Sequence, residues 1–236
     1  MTTVSIIIPA KNEEEFLPGL LKELNSQSLK PLEVIVADAG STDKTVELAK
    51  ELSAKVVKGG LPGPGRNAGA DVATGDILIF LDSDVKLHNK DLLKKALAEF
   101  EERQLDIAAA DIKPYDGKKG DKIAHEAYNR YVRIINPLKA HATGSFIMIR
   151  RELHKKIHGF DETVVFCEDH DYACRGSKSG KFGVLNSVSI GVTTRRLDRD
   201  GRLVIATKFI LGELHLLAIG PIRHNAFNYT FGYKQK

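Results

Sequence analysis

Ile77-Leu78-Ile79-Phe80-Leu81-Asp82-Ser83-Asp84 decides how this chain folds, because an unbroken apolar run passes directly into two carboxylates one residue apart. A continuous run of this length predicts a strand buried on both faces. In open α/β sheets, ligands collect where such strands end, so Asp82 and Asp84 are expected in a cleft. Side chains alternate along a strand, which puts i and i+2 on one side. Two hard oxygen donors so placed suit Mg²⁺ or Mn²⁺ with positions left open for a phosphorylated substrate. Taken alone, Asp-Ser-Asp after a strand is more often a loop or a helix cap.

Working outward, strand-like and helix-like stretches alternate. Residues 4–9 read as a short buried strand. Residues 13–24 carry Phe16, Leu17, Leu20, Leu21 and Leu24 at the spacing of an amphipathic helix. Residues 34–38 form a second strand, followed by a turn at 39–43 with Ser41 or Thr42 as N-cap of a helix reaching about residue 52. Val56-Val57 is a third strand, residues 59–65 a flexible glycine loop, and 66–73 a helix. Repeated β-α-β-α order demands a parallel sheet with right-handed crossovers. Further on, the readings are a surface helix at 91–104, a strand at 107–112, a polar loop at 113–122 and a helix at 123–135. A strand at 144–149, short helices at 151–157 and from 168, and two strand-like pieces within 181–192 complete this part. The stretch 203–219 is mostly apolar, but Lys208, Glu213 and His215 interrupt it too often for a membrane-spanning helix.

Composition narrows the function classes. A chain of 236 residues can bury a sizeable core, and no low-complexity linker divides it. The formal charge of +4 suits anionic substrates or a membrane surface and is too small to indicate nucleic acid. There is no Trp and no basic-aromatic stripe for base stacking. Cys167 and Cys174 fit neither a zinc knuckle nor a disulfide scaffold, so a reducing cytoplasm is the expected setting. No basic segment followed by an apolar core opens the chain, and no signal peptide is expected. The glycines at 63, 65 and 69 do not spell a dinucleotide fingerprint, and His125-Glu126 lacks a second histidine four residues on.

Four separated segments agree on something more specific: Val4 to Glu14; Val36-Ala37-Asp38-Ala39-Gly40-Ser41-Thr42-Asp43; Gly65-Arg66-Asn67-Ala68-Gly69 with Gly75-Asp76 and Asp82-Ser83-Asp84; and Gly159-Phe160-Asp161-Glu162 with Glu168-Asp169-His170-Asp171. In order and spacing they resemble the family 2 glycosyltransferases over roughly residues 4 to 196. The resemblance implies a GT-A fold, a single Rossmann-like α/β domain with a mostly parallel central sheet, expected over residues 1–200. A C-terminal apolar helical extension would follow at 201–236. It also implies inverting, metal-dependent transfer of a sugar from a UDP- or GDP-sugar to a hydroxyl or phosphate acceptor, which could be carbohydrate or lipid-linked. Asp84, with Asp82 touching ribose or metal, would hold Mn²⁺ or Mg²⁺. Pro9, Asn12, Glu13 and Asp38 would border the nucleotide, and Arg66 would line the donor site. Asp169 would be the general base, with Glu168, Gly144 and Ser145 on the acceptor side; Arg195 and Arg196 would clamp the diphosphate.

Each role has a plainer counterpart. Arg66 could be a solvated charge, Asp38 a turn cap, the 168–171 carboxylates a helix N-terminus favoured by the dipole, and Arg195-Arg196 a basic turn. The family's usual paired aspartates before Gly-Ser are replaced by Asp38-Ala39, which leaves the base open. The processive members' Gln-x-x-Arg-Trp motif requires a Trp that the chain lacks, so the enzyme is expected to be non-processive. Two competitors are a haloacid dehalogenase-like phosphatase, with Asp82 as nucleophile and Asp84 as acid and base, and a non-catalytic nucleotide-binding module. The apolar 203–229 stretch, flanked by Arg195, Arg196, Arg199, Arg202, Arg223 and His224, reads either as a helix packed on the domain or on a second subunit, or as a peripheral element on the cytoplasmic membrane face.

Overall fold

The computed structural model describes residues 2–224 and 227. In chain order the elements are β1 (Val4–Ala10), α1 (Leu17–Asn25), β2 (Glu33–Asp38), α2 (Thr45–Glu51), β3 (Lys55–Lys58), α3 (Pro62–Asp71), β4 (Ile77–Phe80) and α4 (Leu92–Glu102). They continue with β5 (Ile107–Pro114), α5 (Lys119–Ile135), β6 (Ile147–Arg150), α6 (Arg151–Lys156), α7 (Glu168–Ser177), β7 (Phe182–Val192), α8 (Arg195–Asp200) and α9 (Arg202–Ala218). The strands make one seven-stranded sheet in the order β3-β2-β1-β4-β6-β5-β7. The pairs β3-β2, β2-β1, β1-β4 and β5-β7 are parallel, while β6 runs antiparallel to both β4 and β5.

Strand β4 is apolar throughout and β1 nearly so, Ser5 being its one polar residue, because both faces of the sheet are covered. On β1, Ile6 and Ile8 join one core with Leu17, Leu20, Leu21 and Leu24 of α1, whereas Ile7 joins the opposite core. On β4, Ile77 and Ile79 go one way and Leu78 and Phe80 the other. The four parallel strands β1 to β4 therefore deliver their carboxyl ends, and the loops that follow, to one rim of the sheet.

Several boundaries differ from those read in the sequence. β4 ends at Phe80, so Asp82 and Asp84 are placed by the turn after the strand and not by strand alternation. The glycine stretch is already helical from Pro62, which sits in the first turn, where proline's missing N–H costs nothing. Helix α2 starts at Thr45, after both Ser41 and Thr42, because Asp43 takes the Thr45 N–H and hydroxyl. The polar loop is shortened by α5, which begins at Lys119, and β6 is confined to Ile147–Arg150. The two pieces of 181–192 are one strand: Leu185 pairs with Ala110 and Ser189 with Asp111, the residues between forming an irregularity.

Beneath the rim, Phe160 stacks on Tyr172 at 3.8 Å and meets the edge of Phe80 at 5.2 Å. His154 is buried in this cluster with Nδ1 2.6 Å from the Tyr172 hydroxyl. Burial, aided by Arg175 and Lys155, pushes its pKa down to about 4. Between about pH 6.5 and 4 the unfolded chain binds the proton that the folded chain excludes, so this residue's contribution is present above 6.5 and is lost as pH falls through that window. We expect on the order of 3 kcal/mol of acid destabilisation from this residue. Urea midpoints from pH 7 to 4.5 measure it, and His154→Gln should flatten the slope; equal slopes in both proteins would refute it.

Helix α9 lies alongside α5 in the same direction: Arg202 pairs with Asp121 at 2.7 Å, and the Tyr131 hydroxyl donates to Glu213 at 3.1 Å. Only Ile205, Gly212 and Leu216 of α9 are buried, and the chain beyond it returns to bridge Ile222 to Phe166. No helix among the described residues is long and apolar enough to cross a membrane. The apolar stretch read as far as residue 229 falls partly outside the described residues.

Candidate active site

Arg66 is the organising side chain of the rim. It projects from α3 and is 2% exposed, which rules out the reading as a solvated surface charge. Its Nη2 donates to Asp82 Oδ1 at 2.9 Å and its Nη1 to Glu168 Oε1 at 2.8 Å. A buried guanidinium is tolerated only when paired in this way, and removing either carboxylate would leave an uncompensated charge. Arg66 thereby joins the loop after β4 to the first turn of α7, segments 86 residues apart in sequence (168 − 82).

Close packing around this arginine explains Gly144. A Cβ there would lie 2.1 Å from Arg66 Nη2 and 3.2 Å from Asp82 Oδ1, so the backbone must approach without a side chain. The Gly144 N–H then donates to Asp169 Oδ2 at 2.8 Å, and Ser145 Oγ lies 3.4 Å from Asp82 Oδ2. Cys167, just before α7, has φ 58, an uncommon left-handed conformation that turns the chain immediately ahead of Glu168 and Asp169.

Asp169 accepts from the His170 N–H and faces His170 Nδ1, both at 2.9 Å through Oδ1. Burial pushes the Asp169 carboxyl up, but His170, Arg66 and the Gly144 N–H outweigh it and hold the pKa at about 2. The carboxylate is therefore ionised at neutral pH. Glu168 shifts upward, first through burial and then through its neighbour Asp169, despite its bond to Arg66. Asp171 is occupied by Arg175 at 2.7 Å.

A second arginine governs the other carboxylate. Arg195, at the start of α8, places Nε 2.8 Å from Asp84 Oδ2 and Nη2 2.7 Å from Glu13 Oε1, with its guanidinium 4.4 Å from the Phe16 ring centre. Burial raises the pKa of both Asp84 and Glu13, against the lowering effect of Arg195. Glu13 Oε2 is buried without a partner. Arg196 feels Asp82 and Asp84 and is depressed chiefly by burial. Two largely buried carboxylates, Glu13 and Asp84, and the part-exposed Asp82 thus offer oxygen donors at the rim, the donor set that suits Mg²⁺ or Mn²⁺.

Pro9 lies within β1 near its carboxyl end. Asn12 pins two loops together: its N–H donates to Ser41 Oγ at 2.9 Å, and its Oδ1 accepts from the Thr42 N–H at 2.8 Å. Asp38 accepts from the Gly40 and Ser41 N–H groups, which is the turn-capping role. It also borders a cavity of about 400 Å³ at the ends of β2 and β3, lined in addition by Gly40, Lys50, Val57 and Lys58. Pro9 also packs close to Gly65, the residue before Arg66, while Gly144, Ser145, Glu168 and Asp169 gather around Arg66 and Asp82.

The sequence reading missed the internal pairing: Arg66 to Glu168, Arg195 to Glu13, and a buried His141, whose Nε2 sits 2.9 Å from Glu213. These partners are more than 70 residues apart, and no local spacing announces them.

A seven-stranded sheet with reversed β6 and carboxylates in the loops at one rim defines an α/β domain of the GT-A kind. The model of glycosyl transferase family 2 matches residues 5–158, and the chain belongs to that family. It is 29% identical over 203 residues to a 4,4'-diaponeurosporenoate glycosyltransferase of Staphylococcus haemolyticus, covering 82% of this chain and 52% of the relative. The chain thus spans about half the length of that curated relative. Among solved structures, Staphylococcus aureus TarS 1-349 in complex with UDP-GlcNAc aligns with TM-score 0.65 and 26% identity, covering 82% of this chain and 59% of that one. The mannosyltransferase PcManGT of Pyrobaculum calidifontis, in complex with GDP-Man and Mn²⁺, aligns with TM-score 0.73 and 18% identity over 89% of this chain and 62% of that one, a likeness of fold. The family match disfavours the dehalogenase-like phosphatase reading.

Proposed function

We propose that this chain transfers a sugar from a UDP- or GDP-sugar to a hydroxyl or phosphate acceptor, non-processively and with inversion at the anomeric carbon. The observation that carries this reading is the Asp82–Arg66–Glu168 bridge, which fastens the strand-end carboxylates beside Asp169 in one cleft. The cavity at Asp38 is the place for the base, and the rim between Arg66 and Arg195 the place for the diphosphate. Complexes of similar structures with UDP-GlcNAc and with GDP-Man and Mn²⁺ support a nucleotide sugar and a divalent ion here as well.

Asp84 and Asp82 would hold Mn²⁺ or Mg²⁺, whose charge supplies electrostatic stabilisation of the departing nucleotide diphosphate. Arg195 pairs with Asp84 and Glu13, and its guanidinium, with that of Arg196, would also serve the diphosphate. The ionised Asp169, kept in place by Gly144 and His170, takes the acceptor's proton as the acceptor oxygen attacks the face opposite the leaving group. Gly144 and Ser145 shape the pocket in which that oxygen is held, and Glu168 acts from behind by fixing Arg66.

The test is a thermal-shift and turnover screen of UDP- and GDP-sugars with and without Mn²⁺, since a ligand of the native state raises its melting temperature. We expect one nucleotide series to raise Tm only with metal and to yield free nucleotide diphosphate on acceptor addition. Hydrolysis of generic phosphoesters with no response to any sugar nucleotide would overturn the assignment.

We further propose that residues 1–200 form the transferase unit and that 201–236 dock it on an anionic membrane surface at the cytoplasmic face, serving a lipid-linked acceptor. Support comes from exposed apolar side chains on α9, on α5 and in the turn after α5: Leu203 is 84% exposed, Ile210 61%, Ile134 72% and Leu138 88%. Exposed Lys118, just before α5, and Lys119, Lys122 and Arg130 on it outweigh the exposed Glu126, giving charge complementarity to anionic lipid. The full chain should float with anionic liposomes and not with neutral ones, and Ile210→Glu with Leu214→Glu should abolish flotation. A monodisperse dimer that the same double variant dissolves, without liposome binding, would instead assign these side chains to a second copy.

A further inference from the structure

His141, on the segment before β6, His170, in the first turn of α7, and Glu213, on α9, converge behind the proposed base. One ligand atom from each lies within 4.8 Å of the others, and the two imidazole centres are 4.8 Å apart at 76°. Both histidines are buried. Elements distant in sequence meet here, and α9 contributes through a close approach: a Cβ on Gly212 would lie 2.7 Å from the Phe166 ring, so the missing side chain lets Glu213 come down onto the domain.

The hydrogen bonds fix which nitrogens are available. His141 Nδ1 lies 2.9 Å from the Lys139 carbonyl oxygen, which can only accept, so Nδ1 carries the proton. His170 Nδ1 faces the Asp169 carboxylate at 2.9 Å and is likewise the donor. In the neutral imidazoles both lone pairs then reside on Nε2. His141 Nε2 stands 2.9 Å from each Glu213 oxygen, so a lone pair faces a carboxylate at a distance that requires a cation between them or on the ring. That cation is either a proton or a metal ion. A carbonyl or carboxylate behind each Nδ1, with His141 Nε2 turned to the Glu213 carboxylate, is the outer-shell arrangement that orients metal-ligating histidines.

We propose that His141, His170 and Glu213 form a Zn²⁺-type transition-metal site, separate from the oxygen-only rim at Asp82 and Asp84, that staples α9 to the segment carrying Asp169. Two imidazoles and one carboxylate are a ligand set for Zn²⁺, with a fourth position for water. Tetrahedral Zn²⁺ at its usual bond lengths needs neighbouring ligand atoms roughly 3.3 Å apart, so the widest separation must close by about 1.5 Å. Glu213 has the side-chain torsions for that closure. Ion entry displaces the proton from His141 Nε2 to solvent and leaves both Nδ1 hydrogen bonds intact. The site depends on neither the donor nor the acceptor of the proposed transfer reaction.

The test is Co²⁺ titration of the chelator-stripped full-length protein, followed by visible absorption. Four-coordinate, histidine-containing Co²⁺ absorbs intensely, whereas Co²⁺ at an all-oxygen six-coordinate site absorbs weakly. We expect one equivalent of the intense spectrum, its displacement by Zn²⁺, and at least tenfold weaker binding in Glu213→Gln and in His141→Gln. The two variants lie on different elements, so either one that folds locates the intense spectrum if the other does not. A weak six-coordinate spectrum alone, or an intense one unchanged in both variants, would show that the cluster holds only a proton and overturn the proposal.

Discussion

Asp84→Ala should lower turnover by on the order of 10³-fold and remove its dependence on Mn²⁺ or Mg²⁺, because several kcal/mol of charge stabilisation convert at about 1.4 kcal/mol per decade. The structural basis is the position of Asp84: burial and the neighbouring Asp82 raise its pKa against the lowering effect of Arg195, bonded to it at 2.8 Å, and of Arg196. Its removal frees no core volume, and Arg195 retains Glu13 as a partner, so the fold should survive. Calorimetric Mn²⁺ titration gives a readout apart from catalysis: wild type should show a saturable site that the variant lacks. Asp84→Asn, which keeps size and one acceptor oxygen, should resemble Ala in both measurements. Full activity of Asp84→Ala in the presence of chelator would sink the assignment.

Asp169→Asn should leave donor affinity near wild type while transfer falls by on the order of 10²-fold or more, the signature of a group needed only as the proton moves. Asn can still accept the Gly144 N–H but cannot hold the proton of the attacking hydroxyl. The anomeric configuration of the product, assigned by NMR, is the second half of this prediction. An inverted product agrees with a single displacement assisted by Asp169; a retained one, or an unimpaired variant, would give the base role to another residue. Asp169→Asn also removes a negative charge beside His170, whose pKa is raised by Asp169 against the depressing effect of burial. The His170 ring resonances should therefore titrate at lower pH in the variant.

Legibility in the sequence followed the range of the interactions. The apolar run at residues 77–81 reports a strand covered on both faces, and alternate side chains of β4 do enter opposite cores. The spacing of Leu17, Leu20, Leu21 and Leu24 reports one buried face of α1, and all four are buried. Both patterns repeat every two or every three to four residues, so a short window contains the whole signal. Boundaries were less legible. Pro62 and the glycines after it look like loop residues in isolation, yet α3 starts there because Pro fits a first turn.

Residue types after a buried strand likewise nominated Asp82 and Asp84, whereas Asp169, in the first turn of α7, was nominated only by the family resemblance. What each carboxylate touches was decided only by the tertiary structure. Arg66 is indistinguishable by sequence from a solvated helix arginine, and it becomes a buried tie because the loop after β4 and the N-terminus of α7 arrive on either side of it. The reversed β6 brings Gly144 against that arginine, and α9 brings Glu213 to His141 across 72 residues. Local pattern fixes which face of an element is apolar; which charges meet depends on where the chain returns after long excursions, and that is set by the packing of the whole sheet.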